Sequence, residues 1–240
     1  MKSLNSIARS LFQDKGLFPG NCLLCGLAAQ GQLDICQYCV DTLPHNALCC
    51  PVCAEPMASS HVCGQCLKEP PHFRYCLAPL LYSSPTSDLL LRFKNQADLA
   101  CGQVLLQALL ATINQHYANS TLPNAIIPVP LHWRKCWQRG FNQSRWLARQ
   151  IAAELQLSVL SNAVIRNRPT TSQQSLSRKQ RRQNLRNCFT VKEPFHKLNL
   201  AIVDDVMTTG STANELAKSL LAAGACQVDV WCLARTPVAK

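Results

Sequence analysis

Hydrophobic periodicity divides the chain unevenly. From about residue 76 onward, helical and strand rhythms alternate. Residues 88–93 and 97–116 carry apolar positions at helical spacing, and residues 104–113 read as a core helix despite Gln107. The run 125–130, AIIPVP, predicts a strand ending in a loop, and Asn142 is placed to cap a helix over 143–155 with Trp146, Leu147, Ile151 and Leu155 on one face. A short strand is expected at 163–166 and a buried one at 200–203. A helix with Leu216, Leu220 and Leu221 aligned follows over 211–223, Gly224 supplies its left-handed stop, and a last strand covers 227–233. Strands alternating with helices predict an α/β fold with a mainly parallel sheet flanked by helices. Residues 168–187 break the rhythm with a long polar loop, residues 21–71 show neither period, and the segment before them suits one short amphipathic helix.

The cysteines account for that N-terminal irregularity. Of 15 in the chain, ten lie between Cys22 and Cys76. Eight form four Cys-x-x-Cys pairs: Cys22/Cys25, Cys36/Cys39, Cys50/Cys53 and Cys63/Cys66. Each pair presents two thiolates to one metal, and two pairs complete a tetrahedral site. The repeat therefore predicts a double zinc ribbon holding two structural zinc ions, ligated sequentially. A disulfide framework would require an oxidising compartment, and the repeated pairing suits zinc better than an iron–sulfur cluster. Spacing leaves open whether Cys49 or Cys50 is the ligand. The domains expected are an N-terminal segment over 1–20, the ribbons over 21–71, and an α/β domain over 76–240, with the Lys-Glu-Pro-Pro-His run at 68–72 as linker.

The formal net charge is +11. Eight thiolates and two zinc ions would take it to about +7. The positive charge is concentrated: residues 166–186 hold seven Lys or Arg and no acid, and residues 132–149 hold five and no acid. Such stretches suit a polyanion or a pyrophosphate. No apolar run is long enough to span a membrane, and MKSLNSIARSLFQDKGLF lacks a secretory signal's apolar core, so a cytoplasmic location is expected.

The most specific chemistry lies at LAIVDDVMTTGSTANELA. A buried strand leads to Asp204 and Asp205, where a strand's carboxyl end opens into a crevice. Thr208, Thr209, Gly210, Ser211 and Thr212 then enter a helix, offering hydroxyls and exposed amides to a phosphate. The two acids suit neighbouring sugar hydroxyls or a divalent cation. Phosphate plus cis-diol describes a ribose 5-phosphate, and the run resembles the phosphoribosyl pyrophosphate (PRPP) loop of type I phosphoribosyltransferases. Neither Gly-x-x-x-x-Gly-Lys-Ser/Thr nor Gly-x-Gly-x-x-Gly occurs in the chain. Upstream, residues 127–144 combine a strand end, a capped helix and the cations Arg134, Lys135 and Arg139, suited to pyrophosphate. The loop 168–186, with Arg178, Lys179 and Arg182, suits a lid closing over an anionic substrate.

That order of segments, the cysteine module before it, and the phrases Pro-Val-Pro-Leu, Arg-Gly-Phe-Asn-Gln-Ser and Val-Asp-Asp-Val-Met-Thr-Thr-Gly-Ser-Thr resemble the ComF family, in particular its GntX-like branch. The resemblance runs from Cys22 to Arg235. It implies a double zinc ribbon fused to a phosphoribosyltransferase-like domain, acting in natural competence or DNA utilisation. Single-stranded DNA and the DNA-uptake machinery are the implied partners. On the enzyme reading, PRPP binds with Mg. Asp204 and Asp205 hold the ribose hydroxyls directly or through the metal, and Thr208–Thr212 grip the 5′-phosphate. Arg178 or Arg182 meets the departing pyrophosphate. An acceptor would bind under a hood formed by the zinc module or the 76–120 region. Two alternatives stay open. One is a non-catalytic single-stranded DNA-binding protein regulated by PRPP or a nucleotide, in which Trp133, Trp137 and Phe141 stack on bases. The other is a nucleobase or amine phosphoribosyltransferase of nucleotide salvage.

Overall fold

The computed structural model describes residues 20–29, 33–131, 140–167 and 188–237. Two short helices belong to the cysteine-rich segment, α1 (Gln37–Asp41) and α2 (Gly64–Lys68). The remainder is built from helices α3 (Thr86–Gln96), α4 (Leu99–His116), α5 (Gln143–Leu155) and α6 (Ser211–Ala222). Its strands are β1 (Cys76–Leu77), β2 (Leu80–Leu81), β3 (Ala125–Pro128), β4 (Ser158–Val159), β5 (Val164–Arg166), β6 (Phe189–Val191), β7 (Asn199–Met207) and β8 (Gln227–Arg235).

The central sheet runs β1, β8, β7, β3, β4, with β2 also pairing β8, and every pairing is parallel. Strands β1 and β2 meet successive parts of β8, Cys76 opposite Val230 and Leu80 opposite Ala234, so together they form one interrupted edge. Alternation of side chains along β7 separates the two faces. Ala201 and Val203 enter a core with α3, α4 and α5, while Leu200 and Ile202 enter a second core with α6. Both faces are covered, which is why these strands read as continuous apolar runs.

The expected α/β architecture is present, with three differences of detail. Residues 163–166 do not join the main sheet; β5 pairs antiparallel with β6 in a separate two-stranded sheet. Beyond that pair, the Asn167 N–H donates to the Cys188 carbonyl at 2.9 Å. The short strands β1, β2, β4 and β6 carry too few residues to show a period. Finally, β7 does not stop at Val203. It continues to Met207 because β8 supplies ladder partners as far as Arg235.

The cysteine-rich segment packs onto this sheet domain rather than standing apart. Cys22, Leu33, Ile35, Cys39 and Leu43 are buried in the same core as α3 and α4, and Arg92 of α3 donates to the Leu23 carbonyl at 3.0 Å. The following stretch touches the opposite side, where Ala54 is buried in the core beneath α6 and the backbone N–H of Cys76 reaches the Val52 carbonyl at 2.8 Å.

Candidate phosphate and metal sites

Strand β3 ends beside Val203, with Pro128 opposite it, whereas β7 runs four residues further against β8 alone. The two acids therefore lie within a strand, along an edge that β3 has vacated, and not beyond a strand end as the sequence pattern suggested. Hydrophobicity stops at Val203, but the hydrogen-bond ladder does not.

Both acids are half-buried and partnered. Asp204 Oδ1 accepts from Ser144 Oγ at 2.9 Å and from the Asp205 backbone N–H at 2.9 Å. Ser144 is in the first turn of α5, whose N-cap Asn142 accepts from the Arg145 N–H at 3.1 Å. Asp205 Oδ2 lies 2.9 Å from Lys94 Nζ. Lys94 is held in turn by α5, since Gln143 Nε2 donates to its carbonyl at 3.0 Å. Burial and the neighbouring Asp205 charge lift the Asp204 carboxyl to about 7, against the opposing pull of the Asp205 N–H, Ser144 and Lys94. Asp204 Oδ2 and Asp205 Oδ1 have no partner among the described residues. Two adjacent carboxylates with free oxygens suit a hard divalent cation or sugar hydroxyls.

The loop that follows is short. Only Thr208, Thr209 and Gly210 separate β7 from α6. Gly210 has φ +73°, a conformation that an L side chain rarely adopts, and this is the reason for glycine here. Thr209 and Ser211 hydroxyls lie 2.8 Å apart, the Ser211 N–H donates to Thr209 Oγ1 at 3.4 Å, Thr212 is in the first helical turn, and the N-cap Gly210 has no side chain to offer. The loop thus gathers hydroxyls at a helix start, the positive end of the helix dipole.

A cleft of about 490 Å³ opens between this loop and the cysteine-rich segment; Met57, Gln65, Pro70 and Phe73 face Gly210 and Asn214 across it. At its floor stands Arg235, 2% exposed, which bonds both sides.

The eight paired cysteines form two groups, Cys22, Cys25, Cys36 and Cys39, then Cys50, Cys53, Cys63 and Cys66. Within each group the sulfur atoms lie within 4.8 Å of one another, and the 3.7 Å from Cys25 to Cys36 and 3.6 Å from Cys53 to Cys63 match tetrahedral spacing about one zinc. The grouping is sequential and uses Cys50, while Cys49 lies outside it. Each group is built alike. A tight turn carries the first pair, with Gly26 or Ala54 at positive φ after it, and a short helix starts at the second pair. Backbone N–H groups outweigh burial at Cys22 and Cys50, drawing these thiols down to about 6 and about 7. None of the described cysteines forms a disulfide.

Asp204 and Asp205 lie on β7, and Thr208–Thr212 form the turn and first residues of α6 that follow it; Thr209, Gly210 and Ser211 line the cleft, whereas the acids face Ser144 and Lys94. Arg134, Lys135, Arg139, Arg178 and Arg182 lie outside the described residues. Sequence reading missed Lys94, Arg235 and Glu55, and did not single out Ser144. An arginine closing the apolar run 230–234 was a visible signal for Arg235, whereas nothing local marks Lys94.

A double zinc ribbon domain model matches residues 15–67. Over 222 residues the chain is 39% identical to the DNA utilization protein YhgH of Shigella flexneri, covering 91% of this chain and 98% of that protein. It is 36% identical to Competence protein F of Haemophilus influenzae over 214 residues, 87% of this chain and 92% of the relative. With Competence protein ComFC of Bacillus subtilis it shares 25% identity over 196 residues, 78% of each. A zinc-ribbon module, a parallel sheet carrying the acid pair and hydroxyl turn, and similarity at this level along nearly the whole chain together place the protein in the ComF family of competence and DNA-utilisation proteins.

Proposed function

We propose that the sheet domain binds PRPP with Mg, and that the protein uses this site in handling imported single-stranded DNA during competence or DNA utilisation. The observation that carries the reading is the edge of β7 beyond Pro128. There Asp204 and Asp205 each keep a carboxylate oxygen without a partner among the described residues, one short turn before the Thr209–Ser211 hydroxyls and the start of α6. On this reading the turn holds the 5′-phosphate and the acids face the ribose. Mg, when bound, would neutralise the diphosphate and replace Lys94 as the acids' counter-charge. Ser144 keeps Asp204 oriented. The cleft beneath the second ribbon is where an acceptor would sit, so the zinc module serves as the hood. Arg134, Lys135 and Arg139 are proposed for the pyrophosphate, and Arg178 and Arg182 for closure over it. The ribbons over 21–71 and the domain over 76–240 are proposed as the working division of the chain.

The test is a thermal-shift titration with Mg and PRPP, accompanied by pyrophosphate release assayed with nucleobases and oligonucleotides. The unaltered protein should be stabilised by PRPP only when Mg is present, and the Asp204→Ala/Asp205→Ala variant should lose at least about tenfold in affinity. PRPP that leaves the melting temperature unmoved at millimolar concentration would overturn the assignment. Oligonucleotide-dependent pyrophosphate release, absent in the double variant, would identify a transferase. Oligonucleotide binding without turnover would instead favour the regulated DNA-binding form.

A further inference from the structure

We propose that Arg235 is a positioning residue through which the second cysteine tetrad sets the shape of the phosphate loop.

Arg235 ends β8 opposite Met207, with its guanidinium almost completely buried between the two modules. Toward the ribbon, Nε donates to the Cys53 carbonyl at 3.1 Å and Nη2 pairs with Glu55 Oε2 at 2.5 Å. Toward the loop, Nη1 donates to the Met207 carbonyl at 3.1 Å, to the Thr236 carbonyl at 2.6 Å and to the Thr208 carbonyl. The fork of guanidinium donors permits this, and an ammonium on a flexible stem could not meet both sides at once.

Each end of the link is stiff. Cys53 belongs to the tetrad, and the Glu55 carbonyl accepts from the Cys50 N–H at 2.8 Å, so the ribbon partners are part of the metal knuckle itself. On the other side, Met207 and Thr208 enter a turn of only three residues before α6, which leaves little slack. A displaced Thr208 carbonyl must therefore move Thr209 and Gly210. The knuckle has little packing of its own: Cys50, Cys63 and Cys66 form a small cluster supported by Val52, Cys53, Met57 and Val62. Metal ligation is what holds such a segment in shape. Filling of the second tetrad thus fixes the Cys53 carbonyl and Glu55, these fix Arg235, and Arg235 fixes the entry to the loop. Only the ligand arm of this inference rests on the function proposed above.

Hydrogen–deuterium exchange on the zinc-loaded full chain, without ligand, tests the coupling directly. Arg235→Lys should speed exchange of the 208–211 amides about tenfold, while zinc content stays at two per chain, and PRPP–Mg affinity should fall by about the same factor. Cys66→Ser, which touches neither the loop nor Arg235 by any hydrogen bond described, should lose one zinc and reproduce the faster loop exchange. Arg92→Lys, which loosens the tie of the first ribbon to Leu23, should leave the loop at its original rate. Unchanged 208–211 exchange in Arg235→Lys would overturn the proposal. An equal acceleration in Arg92→Lys would also overturn it, because the effect would then be general loosening. A failure of the unaltered protein to bind PRPP would sink the proposed function and not this coupling, which the ligand-free exchange rates decide alone. Should Cys66→Ser not fold, Arg235→Lys against Arg92→Lys still decides.

Discussion

Asp204 is held in a state that suits a ligand better than it suits the fold. Its carboxyl is lifted to about 7 by burial and by Asp205, so at neutral pH the folded chain carries a strained or partly protonated acid. Below about pH 3 this has no consequence, since the group is mostly protonated in the folded and unfolded chain alike. As pH rises toward 7 the unfolded chain releases the proton more readily than the folded one, and stability falls. Asp204→Asn should therefore raise ligand-free stability at pH 8 by on the order of 1 kcal/mol, with a much smaller gain at pH 5. On the proposed function it should also lose Mg-dependent PRPP binding. Denaturant midpoints at the two pH values measure it, and an equal shift at both would refute the electrostatic account. Lys94→Met should act oppositely, because it withdraws the cation that pulls Asp204 down and faces Asp205 at 2.9 Å. Its loss should be larger at pH 8, and Mg should recover part of it. The acids and the hydroxyl turn were legible because they are contiguous in the chain. Lys94 was not, since its role depends on α3 and β7 meeting across more than a hundred residues. Ser144 reads as an ordinary first-turn residue until the end of β3 exposes Asp204 to it.

The meeting of α3 with β7 depends on how closely α3 and α4 pack. Gly102 of α4 faces Phe93, the residue before Lys94, and a Cβ at Gly102 would stand 2.6 Å from the Phe93 ring. Phe93 is fully buried, with Phe141 and Trp146 rings at 5.6 and 5.2 Å, so it has nowhere to retreat. Gly102→Ala gains up to about 1 kcal/mol in helix propensity and meets overpacking of about 1–3 kcal/mol. A net loss of about 1–2 kcal/mol is expected, seen as a lower denaturant midpoint at unchanged slope, and, on the proposed function, PRPP–Mg binding weakens as Lys94 shifts. A stabilised variant would mean that the two helices part more easily than their packing indicates. Among the elements, α5 could be read to its boundaries because Asn142 caps it and its apolar face is regular. The strands β1, β2, β4 and β6 could not, since two or three residues define no period and only the neighbouring strand gives them register. The overlong β7 shows the same limit from the other side. Its acids belong to the strand because β8 continues beside them, a fact about another part of the chain.

At the scale of the molecule the two tetrads are alike in local construction and different in attachment. Cysteine spacing announced both, but no spacing could show what each would rest on. The first shares a core with α3 and α4 through Cys22, Ile35, Cys39 and Leu43, so opening it uncovers the apolar face of the sheet domain. The second keeps its sulfurs in a small cluster of their own and meets the domain through the cleft, Arg235 and the edge of the core beneath α6. Loss of the first zinc should therefore spread, and loss of the second should stay local. Cys39→Ser is expected to lower the melting temperature of the whole chain by about 10 °C or more, and Cys66→Ser by about half that or less. Zinc content should fall by one ion in each. Equal thermal losses would show that the domain leans on both ribbons alike. The asymmetry fits a chain in which one ribbon completes the core and the other stands over the cleft, tied to the sheet domain through Arg235.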